Sequence, residues 1–467
     1  MTSPAQLVIV GGGPAGLAAA IAAREAGIEP VVLDDNEQPG GQIYRQPPRA
    51  FAVTDPSSIG KDYLRGRKLF EEAARAGVSV QSGVIVWDAK PGSLCCCQGD
   101  RSWTLAYQSL ILATGAYERP VPFPGWTLPG VFSSGGVQTL LKAQRVLAGK
   151  RVLLAGTGPL NLVVANQLAD AGAQVVAVLE LAKPGLGELL AMLGGPWELL
   201  ADGIGYVARL VRRGIPILRG STIVEARGKE QVTSAVIARV DKDWRPVAGS
   251  ERTLQVDTVC LGFGLVPSTE LSRLLGCEHR YTTQLGGAIP VHDEYGETSL
   301  PGVFVAGDGA GVAGSLVALE AGRVAGLRAA MRLGRMTEKE FLGRAAPNIR
   351  RLRGLSRFRA VLDRISCSRP GLFERITPDT VICRCEEVAA GDVRAVLDEG
   401  ATSLIELKAR LRCGMGLCQG RICNPTLVEL VAQWTGQPAE TVRPFSPRPP
   451  VKPIPMAALL NPEQAAP

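Results

Sequence analysis

The sequence predicts an α/β protein with two dinucleotide-binding domains and a small helical domain that contains clustered cysteines. Two strand–turn–helix–strand units, at residues 5–35 and 150–180, carry glycine-rich turns of the kind that approach nucleotides closely. Four cysteines near the C-terminus stand in two pairs, Cys383 with Cys385 and Cys418 with Cys423. The chain has 467 residues, of which 46% are hydrophobic, so it is long enough for several such domains.

The first unit reads LVIVGGGPAG and continues into an alanine-rich helix and a second apolar strand. Gly11 makes the tight turn, Gly13 lets the backbone approach a pyrophosphate, and Gly16 lets the helix pack on the strand. Asp34 directly follows the apolar run of the second strand and is the candidate acceptor for a ribose hydroxyl. The predicted nucleotide contacts of this turn are Gly11, Gly13, Pro14, Ala15 and Gly16.

Two later strands decide which dinucleotide the first unit binds. The segment LILATGAYERP ends its apolar run at Thr114 and Gly115, and LPGVFVAGDGAG ends at Gly307 and Asp308. Together with the first turn, these segments resemble the flavoproteins of the glutathione-reductase-like superfamily. The resemblance implies FAD as the cofactor, with Asp308 bonded to its ribityl or phosphate portion. It also implies one FAD-binding domain made of residues 1–120 and 256–335.

The second unit, KRVLLAGTGPLNLVVANQLADAGAQVVAVLE, predicts another nucleotide fold over residues 121–255. It matches the fingerprint at Gly156 and Gly158, but Asn161 stands at the third glycine position. We expect the Asn161 side chain either to push the helix from the strand or to project towards the ligand. Glu180 ends the next strand and is the candidate ribose acceptor. The residues leave open whether this fold holds NAD(P)H, another nucleotide such as ATP, or no nucleotide.

The C-terminal cysteines form a Cys-x-Cys motif (VICRCEE) and a Cys-x4-Cys motif (GMGLCQGRIC). A 2Fe–2S cluster takes two cysteine sulfurs on each iron, and two short loops can supply them. Zinc held by four thiolates is the chemical alternative, although Cys-x-Cys is tight for one tetrahedral ion. Cys413 also stands five positions before a cysteine, so spacing alone allows a pair of Cys413 with Cys418.

Residues 376–440 are similar to the bacterioferritin-associated-ferredoxin-like (BFD-like) 2Fe–2S domain. The resemblance places the ligands on either side of the Gln-Gly-x-x element, which favours Cys418 and Cys423 and leaves Cys413 in the approach loop. With Cys383 and Cys385, they would form the ligand set of the cluster. A flavin and an iron–sulfur cluster on one chain indicate electron transfer.

Thiol–disulfide exchange is not expected of this chain. Disulfide reductases of the superfamily carry a redox cysteine pair beside the flavin, but the equivalent stretch here, PGGQIYRQPP, contains no cysteine. Thioredoxin-reductase-like enzymes carry Cys-x-x-Cys in the second domain, and residues 150–255 contain none.

Charge and composition argue against several other functions. The net charge of +7 owes much to an arginine-rich stretch without a nucleic-acid recognition motif, which we interpret as a basic helical linker over residues 336–375. No run of about 18 apolar residues predicts a membrane span, and the N-terminus shows no signal-peptide pattern. Eleven cysteines without signs of secretion predict a reducing, cytoplasmic compartment. Residues 441–467 are proline-rich and predict an extended tail that could wrap a partner.

Nearly the whole chain is covered by longer motifs: GGQIYRQPPRAF, GAYERPVPFPGWTLPGVF, GTGPL, the Gly-Asp strand and CRCEE…GMGLCQGRIC. They resemble the FAD/2Fe–2S-binding alpha subunit of heteromeric amino- and imino-acid dehydrogenases. That group includes opine oxidases, D-hydroxyproline dehydrogenase and the hydrogen cyanide synthase flavoprotein. The resemblance implies cofactor contacts at Gly41 and Gln42. It also implies an FAD-containing beta subunit, often with a small ferredoxin-like gamma subunit, and leaves open an FMN at the alpha–beta boundary.

In such complexes the beta subunit removes hydride from the carbon that bears the amine. The resemblance implies that this chain passes those electrons through FAD and the cluster to an acceptor, with no catalytic residue of its own. Two other functions fit the residues. An NAD(P)H-dependent reductase would bind nicotinamide at Gly156, Gly158 and Glu180, whereas a non-catalytic scaffold subunit would hold a nucleotide in the same fold.

Overall fold

The computed structural model describes residues 3–193, 195–460 and 462–463. The chain divides into two compact units, each built from separate stretches of sequence. The first unit takes the chain up to Tyr117, Pro267–Arg357 and the chain from Ser446 onward. The second unit takes Glu118–Val266 and Phe358–Phe445. The two nucleotide folds therefore belong to different units, and the clustered cysteines belong to the second.

The strands form two larger sheets and several short ribbons. In chain order they are β1 (Ala5–Val10), β2 (Val31–Asp34), β3 (Val80–Ser82), β4 (Ile85–Lys90), β5 (Ser93–Gln98), β6 (Arg101–Leu112), β7 (Ala116–Glu118), β8 (Val131–Ser133), β9 (Arg151–Gly156), β10 (Gln174–Glu180), β11 (Ile217–Arg219), β12 (Ser221–Arg227), β13 (Ser234–Arg239), β14 (Arg252–Gln255), β15 (Thr258–Gly262), β16 (Leu265–Pro267), β17 (His279–Thr282), β18 (Gly287–Pro290), β19 (Val303–Val305), β20 (Val381–Cys383), β21 (Val388–Ala389) and β22 (Pro462–Glu463).

The helices range from one turn to eight turns. In chain order they are α1 (Pro14–Glu25), α2 (Lys61–Arg75), α3 (Ser134–Gln144), α4 (Pro159–Asp170), α5 (Leu186–Leu193), α6 (Trp197–Arg212), α7 (Glu270–Leu274), α8 (Ser315–Arg332), α9 (Glu338–Ser366), α10 (Ala390–Asp398), α11 (Leu404–Leu411), α12 (Cys423–Thr435) and α13 (Met456–Leu460). None of the helices that the structure describes has the length and apolar character needed to cross a membrane.

The main sheet of the first unit has the strand order β3-β2-β1-β6-β5-β4, and β19 also pairs with β6. β1 runs parallel to β2 and β6, so that Val10 lies opposite both Leu33 and Leu112. β19 is also parallel to β6, whereas β4, β5 and β6 form an antiparallel meander. Because the parallel strands end at one edge of the sheet, the segments that follow β1, β2, β6 and β19 meet there.

Both faces of the parallel strands are covered, which explains why their sequences are continuous apolar runs. Leu7 and Ile9 pack on one face with the small alanines of α1 and α8. Val8 and Val10 point to the other face and join a cluster with residues of the meander, such as Leu94. The alanine-rich sequence of α1 thus allows this helix to lie close to both the sheet and α8.

The main sheet of the second unit has the order β11-β10-β9-β15-β8 and is parallel throughout. Gly156, at the end of β9, lies opposite Glu180 at the end of β10 and Gly262 at the end of β15. The strands β12, β13 and β14 form a separate antiparallel sheet. The site expected at the second glycine turn is therefore at the carboxyl edge of this sheet, as in the first unit.

The cysteine-rich part of the second unit is small and mostly helical. It contains the β20–β21 ribbon and the helices α10, α11 and α12. α11 begins with a capping box, in which Ser403 Oγ accepts the Glu406 N–H (3.4 Å) and the Glu406 carboxylate accepts the Ser403 N–H (3.0 Å). α12 begins at Cys423, so its first turn directly follows the cysteine loop.

The proline-rich end of the chain packs on the first unit. Val451 is buried among the apolar residues of the meander, and its N–H donates to the Trp87 carbonyl (2.9 Å). Lys452 forms an ion pair with Asp35, and β22 pairs with β6. These contacts pack the tail on the first unit of its own chain.

Arg375 is a buried cation in the second unit, just before the cysteine-rich part. Its guanidinium carbon lies 5.3 Å from the ring centroid of Phe123 and 4.9 Å from that of Phe263. It donates to Thr222 Oγ1 (2.9 Å) and to the Ile223 carbonyl, and burial lowers the pKa of Arg375 to about 9. Among the described residues, its Nε and Nη2 have no hydrogen-bond partner. Arg375 therefore stabilises the unit through ring contacts and two hydrogen bonds, while the desolvation of its charge offsets part of this stabilisation.

We expect Arg375→Met to be tolerated better than Arg375→Ala. Methionine keeps an unbranched chain between the two rings and removes buried unpaired donors, so the free energy of unfolding should change by less than about 1.5 kcal/mol. Alanine leaves a cavity and should lower it by about 2–4 kcal/mol. Urea unfolding followed by tryptophan fluorescence measures both variants. Equal losses would mean that the charge, and not the packing, is what stabilises this region.

Candidate functional site

The start of α1 lies unusually close to the end of β1. A Cβ on Gly16 would overlap the carbonyl oxygen of Gly11, and a Cβ on Gly11 would overlap the carbonyl of Ala113 at the end of β6. Gly11 has φ +110°, which favours glycine, and its N–H donates to the Leu33 carbonyl (2.7 Å). Gly13 is the N-cap of α1 and has no side chain, so the first N–H groups of the helix are available to a pyrophosphate.

Asp34 fixes the end of β2 to this turn. Its Oδ2 accepts the N–H of Gly12 (2.5 Å), and its Oδ1 accepts the N–H of Asn36 (2.8 Å). The carboxyl group is buried, and this burial raises the pKa of Asp34, although the hydrogen bonds from Asn36 and Gly12 oppose the rise. An acid held in this position beside the glycine turn suits a ribose of a bound dinucleotide.

The Gly-Asp segment after β19 reaches the same turn. A Cβ on Gly307 would come within 2.9 Å of the Ala15 Cβ, so Gly307 lies directly against α1. Asp308 Oδ1 accepts the N–H groups of Ala313 and Gly314, both at 2.9 Å, just before α8 begins. The Asp308 carboxylate is thus held by backbone donors at the edge of the sheet, beside the first turn of α1.

The remaining predicted residues of the first site come from two loops. Thr114 Oγ1 donates to the Ser268 carbonyl (2.6 Å) and lies next to Gly309, whose Cβ would be 2.9 Å away. A Cβ on Gly41 would lie 3.1 Å from the Gly13 Cα, so this loop also borders the glycine turn. Gln42 is exposed, and its Oε1 accepts a hydrogen bond from Arg45 (2.8 Å). Pro14 occupies the first turn of α1, and Gly115, with φ +67°, follows Thr114.

The second glycine turn also has a carboxylate bonded to its backbone. Glu180 Oε2 accepts the N–H of Gly158 (3.1 Å), and Oε1 accepts the N–H of Ala182 (3.0 Å). Burial raises the pKa of Glu180 to about 7, although these hydrogen bonds lower it. Asp34 and Glu180 each end the second strand of their fold and each accept a backbone N–H of their own glycine turn, although the donor in the second turn is one position further along the motif.

One of our two expectations was that the Asn161 side chain projects towards the ligand position. The structure shows that it does not. Its side chain is fully buried, accepts from Ser134 Oγ (2.7 Å) and donates to the Gly262 carbonyl (3.3 Å). A Cβ on Gly156 would come within 2.7 Å of Asn161 Nδ2. The amide occupies the space between α4 and the strands, and it links the ends of β9 and β15 to the start of α3.

Glu118 is a half-buried acid near this turn that sequence reasoning missed. Its carboxylate accepts the N–H of Gly135 (2.8 Å) at the start of α3, where anions are favoured by the helix dipole. Burial raises the pKa of Glu118, and hydrogen bonds from Ser133 and the first backbone N–H groups of α3 oppose the rise. The only sequence signal was an acid next to a predicted strand, which is too common to single out.

The C-terminal cysteines meet in two groups. The thiols of Cys413 and Cys423 both donate to Cys383 Sγ and hold the pKa of Cys383 well below its usual range. Cys385 contacts Cys418 through its thiol and through the Cys418 N–H, which donates to Cys385 Sγ. The Cys-x-Cys and Cys-x4-Cys motifs are thus brought together, with Cys413 next to Cys383. None of the eleven cysteines forms a disulfide.

The two cysteine loops touch at Gly416. A Cβ there would overlap the Cys385 Cβ and lie 3.2 Å from Cys385 Sγ, so a side chain at this position would separate the loops. Cys383 and Cys423 are buried, whereas Cys385 is exposed. Paired thiols from two converging loops are the donors that a 2Fe–2S cluster takes, two for each iron. Within the described residues, no three His, Cys, Asp or Glu side chains are gathered around a single ion position.

Comparison with known proteins agrees with this interpretation of the two sites. Residues 5–334 match the family model for pyridine nucleotide-disulphide oxidoreductases, and residues 381–433 match the BFD-like [2Fe-2S] binding domain. The HcnB subunit of hydrogen cyanide synthase from Pseudomonas aeruginosa is 37% identical over 461 residues, which cover 97% of this chain and 98% of that protein. An opine oxidase subunit from Agrobacterium tumefaciens is 35% identical over 470 residues, which cover 97% of this chain and 91% of that protein.

Solved structures with the same fold have lower sequence identity. L-Proline dehydrogenase from P. horikoshii superposes with a TM-score of 0.69 at 19% identity, over 98% of this chain and 79% of that one. A thioredoxin reductase from T. acidophilum gives 0.51 at 20% identity, over 70% of this chain and 97% of that one. The predicted fold class, a two-nucleotide-fold flavoprotein with a BFD-like domain, is confirmed, and so are FAD and a 2Fe–2S cluster as its cofactors.

We expect Gly16→Ala to abolish FAD retention. The added methyl would overlap the Gly11 carbonyl oxygen, so α1 must move away from β1 and its N-terminus must leave the pyrophosphate position. The flavin absorbance near 450 nm per chain should fall at least about 10-fold. Gly354→Ala is the matched control, because Gly354 is also helical and has no atom within 4 Å of an added Cβ. Normal flavin content in Gly16→Ala would contradict this assignment.

Serine variants distinguish whether Cys413 or Cys423 is a ligand of the cluster. If Cys383, Cys385, Cys418 and Cys423 hold the cluster, Cys423→Ser should lose most of its iron and sulfide, while Cys413→Ser should keep both. Iron and acid-labile sulfide analysis, with visible circular dichroism, measures the outcome. The reverse result would assign Cys413 as the ligand and Cys423 as its neighbour.

Proposed function

The chain belongs to the pyridine nucleotide-disulphide oxidoreductase family, and we propose that it is the electron-transfer flavoprotein subunit of a heteromeric amino- or imino-acid dehydrogenase. It would receive electrons from a catalytic beta subunit and pass them through FAD and a 2Fe–2S cluster to an acceptor. The relatives that match over nearly the whole chain, HcnB and the opine oxidase protein, are each named as one subunit of an enzyme, which supports a partner here.

The observation that carries the proposal is the location of the redox cysteines. In the flavin-bearing unit, the loop from Gly40 to Pro48 contains no cysteine, so a disulfide exchange partner is missing from that stretch. The thiols are instead gathered at Cys383, Cys385, Cys418 and Cys423, within the BFD-like domain. Electrons that reach this chain would therefore leave through a metal cluster.

Two sets of residues would bind the two cofactors. The glycine turn before α1, with Asp34, Thr114 and Asp308, would hold FAD, and the four cysteines would hold the cluster. FAD exchanges electrons in pairs or singly, whereas a 2Fe–2S cluster carries one at a time, so together they convert a two-electron oxidation into single-electron steps. The task of the surrounding residues is to bind and position the cofactors.

Substrate oxidation would take place on the partner. The sequence shows no nucleophile–base motif for chemistry on an amine-bearing carbon, and the proposed beta subunit would supply its own FAD for this step. An FMN at the subunit boundary and a small ferredoxin-like gamma subunit belong to the same proposal. The class of substrate is an opine, D-hydroxyproline or a related amino or imino acid. The cytoplasmic location that we propose is supported by the eleven cysteines, none of which forms a disulfide.

A second function is favoured by Glu180. Glu180 accepts the Gly158 N–H of the second turn, as Asp34 accepts the Gly12 N–H of the first, so the second fold keeps an acid where a ribose would bind. With NAD(P)H bound there, the chain would be a flavin/iron–sulfur reductase. With ATP or another nucleotide, the second fold would have a structural role, and the chain would serve as a scaffold subunit.

Anaerobic titrations of the purified chain and of the intact complex distinguish these functions. We expect NADH and NADPH to leave the flavin absorbance of the chain unchanged, and an opine or D-hydroxyproline to bleach it when the partner is present. In the complex with Cys385→Ser, substrate should still bleach the flavin, but reduction of a one-electron acceptor such as ferricenium should fall at least about 10-fold. Stoichiometric bleaching by NADH, abolished in Glu180→Gln, would establish the reductase instead.

A further inference from the structure

Helix α6 carries more apolar surface than its own unit covers. An α-helix turns about 100° per residue, so residues seven apart lie nearly on one line along its surface. Leu210 is fully buried and faces the core, in the cluster with Val164 and Leu168 of α4. A different face of the same helix is exposed and apolar, because Trp197, Ile204 and Val211 follow one another at intervals of seven.

These three large side chains are more exposed than most apolar residues. Trp197 is 75% exposed, Ile204 is 69% exposed and Val211 is 64% exposed. Ala201 and Ala208 lie between them on the same face and are also exposed. The result is a continuous stripe about 20 Å long, with large residues at its ends and centre and small residues between them. We call these five residues the α6 stripe.

The α6 stripe is nearly symmetric about Ile204. Trp197 and Val211 each lie seven residues from the centre, while Ala201 and Ala208 lie three and four residues from it. If a second copy of the helix lies antiparallel across the stripe, Ile204 meets Ile204, Trp197 meets Val211, and the alanines meet each other. Small residues at the alanine positions allow the two helices to approach closely. A two-fold interface requires this kind of self-complementary surface.

The charged residues beside the stripe have the same symmetry. Glu198 lies in the first turn of α6 and Arg212 in the last, and both are exposed. On a helical projection both lie on the same side of the stripe. Antiparallel pairing would therefore place Glu198 of one copy beside Arg212 of the other, and this would happen twice across the two-fold axis. In a parallel pair, the Glu198 and Arg212 residues of the two copies would lie on opposite flanks of the interface and would not meet.

We propose that the α6 stripe is a homodimer interface, at which two copies of this chain pair through antiparallel α6 helices with Ile204 on the two-fold axis. Leu186 and Leu190 of α5 are also exposed and extend the apolar surface beside α6. This interface does not depend on the proposed electron-transfer function, since it concerns the assembly of the chain and uses none of the cofactor-binding residues.

The first test is the oligomeric state of the full chain loaded with its cofactors. Sedimentation equilibrium should show a monomer–dimer equilibrium for the wild type. Ile204→Glu would place two carboxylates together on the axis and should raise the dimer dissociation constant at least about 30-fold. Ile405→Glu is the matched control, because Ile405 is 62% exposed on α11 and undergoes the same change far along the sequence. It should leave the equilibrium unchanged.

The second test exchanges the charges across the axis. Glu198→Arg and Arg212→Glu should each weaken the dimer, because each variant brings like charges together in the antiparallel register. The double variant Glu198→Arg/Arg212→Glu should restore the dimer, and an equimolar mixture of the two single variants should form a heterodimer. Helix-dipole effects within one chain would not produce pairing between the two single variants, so this result is specific to the interface.

Three results would overturn the proposal. The wild-type chain could remain a monomer up to about 100 μM, or Ile204→Glu could dimerise as strongly as the wild type. In the third, the chain alone is a monomer and Ile204→Glu weakens only its binding to the catalytic partner. That result would assign the stripe to the partner and not to a second copy of this chain.

Discussion

The close approach of α1 to β1 is the constraint on which the first unit depends. A methyl group on Gly16 would overlap the Gly11 carbonyl and separate the helix from the strand, and one on Gly11 would overlap the Ala113 carbonyl next to β6. This contact positions the N-terminus of α1 at the carboxyl edge of the sheet. Asp34, Gly307 and Asp308 reach the same point because β1, β2 and β19 all run in one direction and end at that edge.

The second unit solves the same packing problem with a different residue. Where the first turn has Gly16, the second has Asn161, and its amide is buried between Ser134 and the Gly262 carbonyl. Glycines at 156 and 262 leave the space that this side chain needs. Both folds have an acid at the end of the neighbouring strand, Asp34 in the first and Glu180 in the second. The two turns therefore differ in how the helix packs, but each has a carboxylate where a ribose would bind.

The cysteine-rich domain depends on close contact in another way. Its two loops come together because Gly416 has no side chain to separate them from Cys385, and the four motif cysteines then form two neighbouring groups. Cys385 is exposed and Cys383 is buried, so the site has an inner and an outer side. An exposed edge suits transfer to an external acceptor, which agrees with the absence of a cysteine pair from the flavin loop between Gly40 and Pro48.

The sequence by itself determined the fold class, the two glycine turns, the acids that follow them and the cysteine motifs, because each depends on spacing within one strand–turn–helix unit or one loop. It did not determine the environment of Asn161, the position of Glu118 beside α3 or the packing of the tail on its own chain. These depend on contacts between residues that are far apart in sequence, such as Asn161 with Gly262 and Val451 with Trp87. The exposed stripe of α6 belongs with them. The apolar heptad pattern alone does not show that this face is exposed, and the structure shows it because the opposite face of the helix packs on the core.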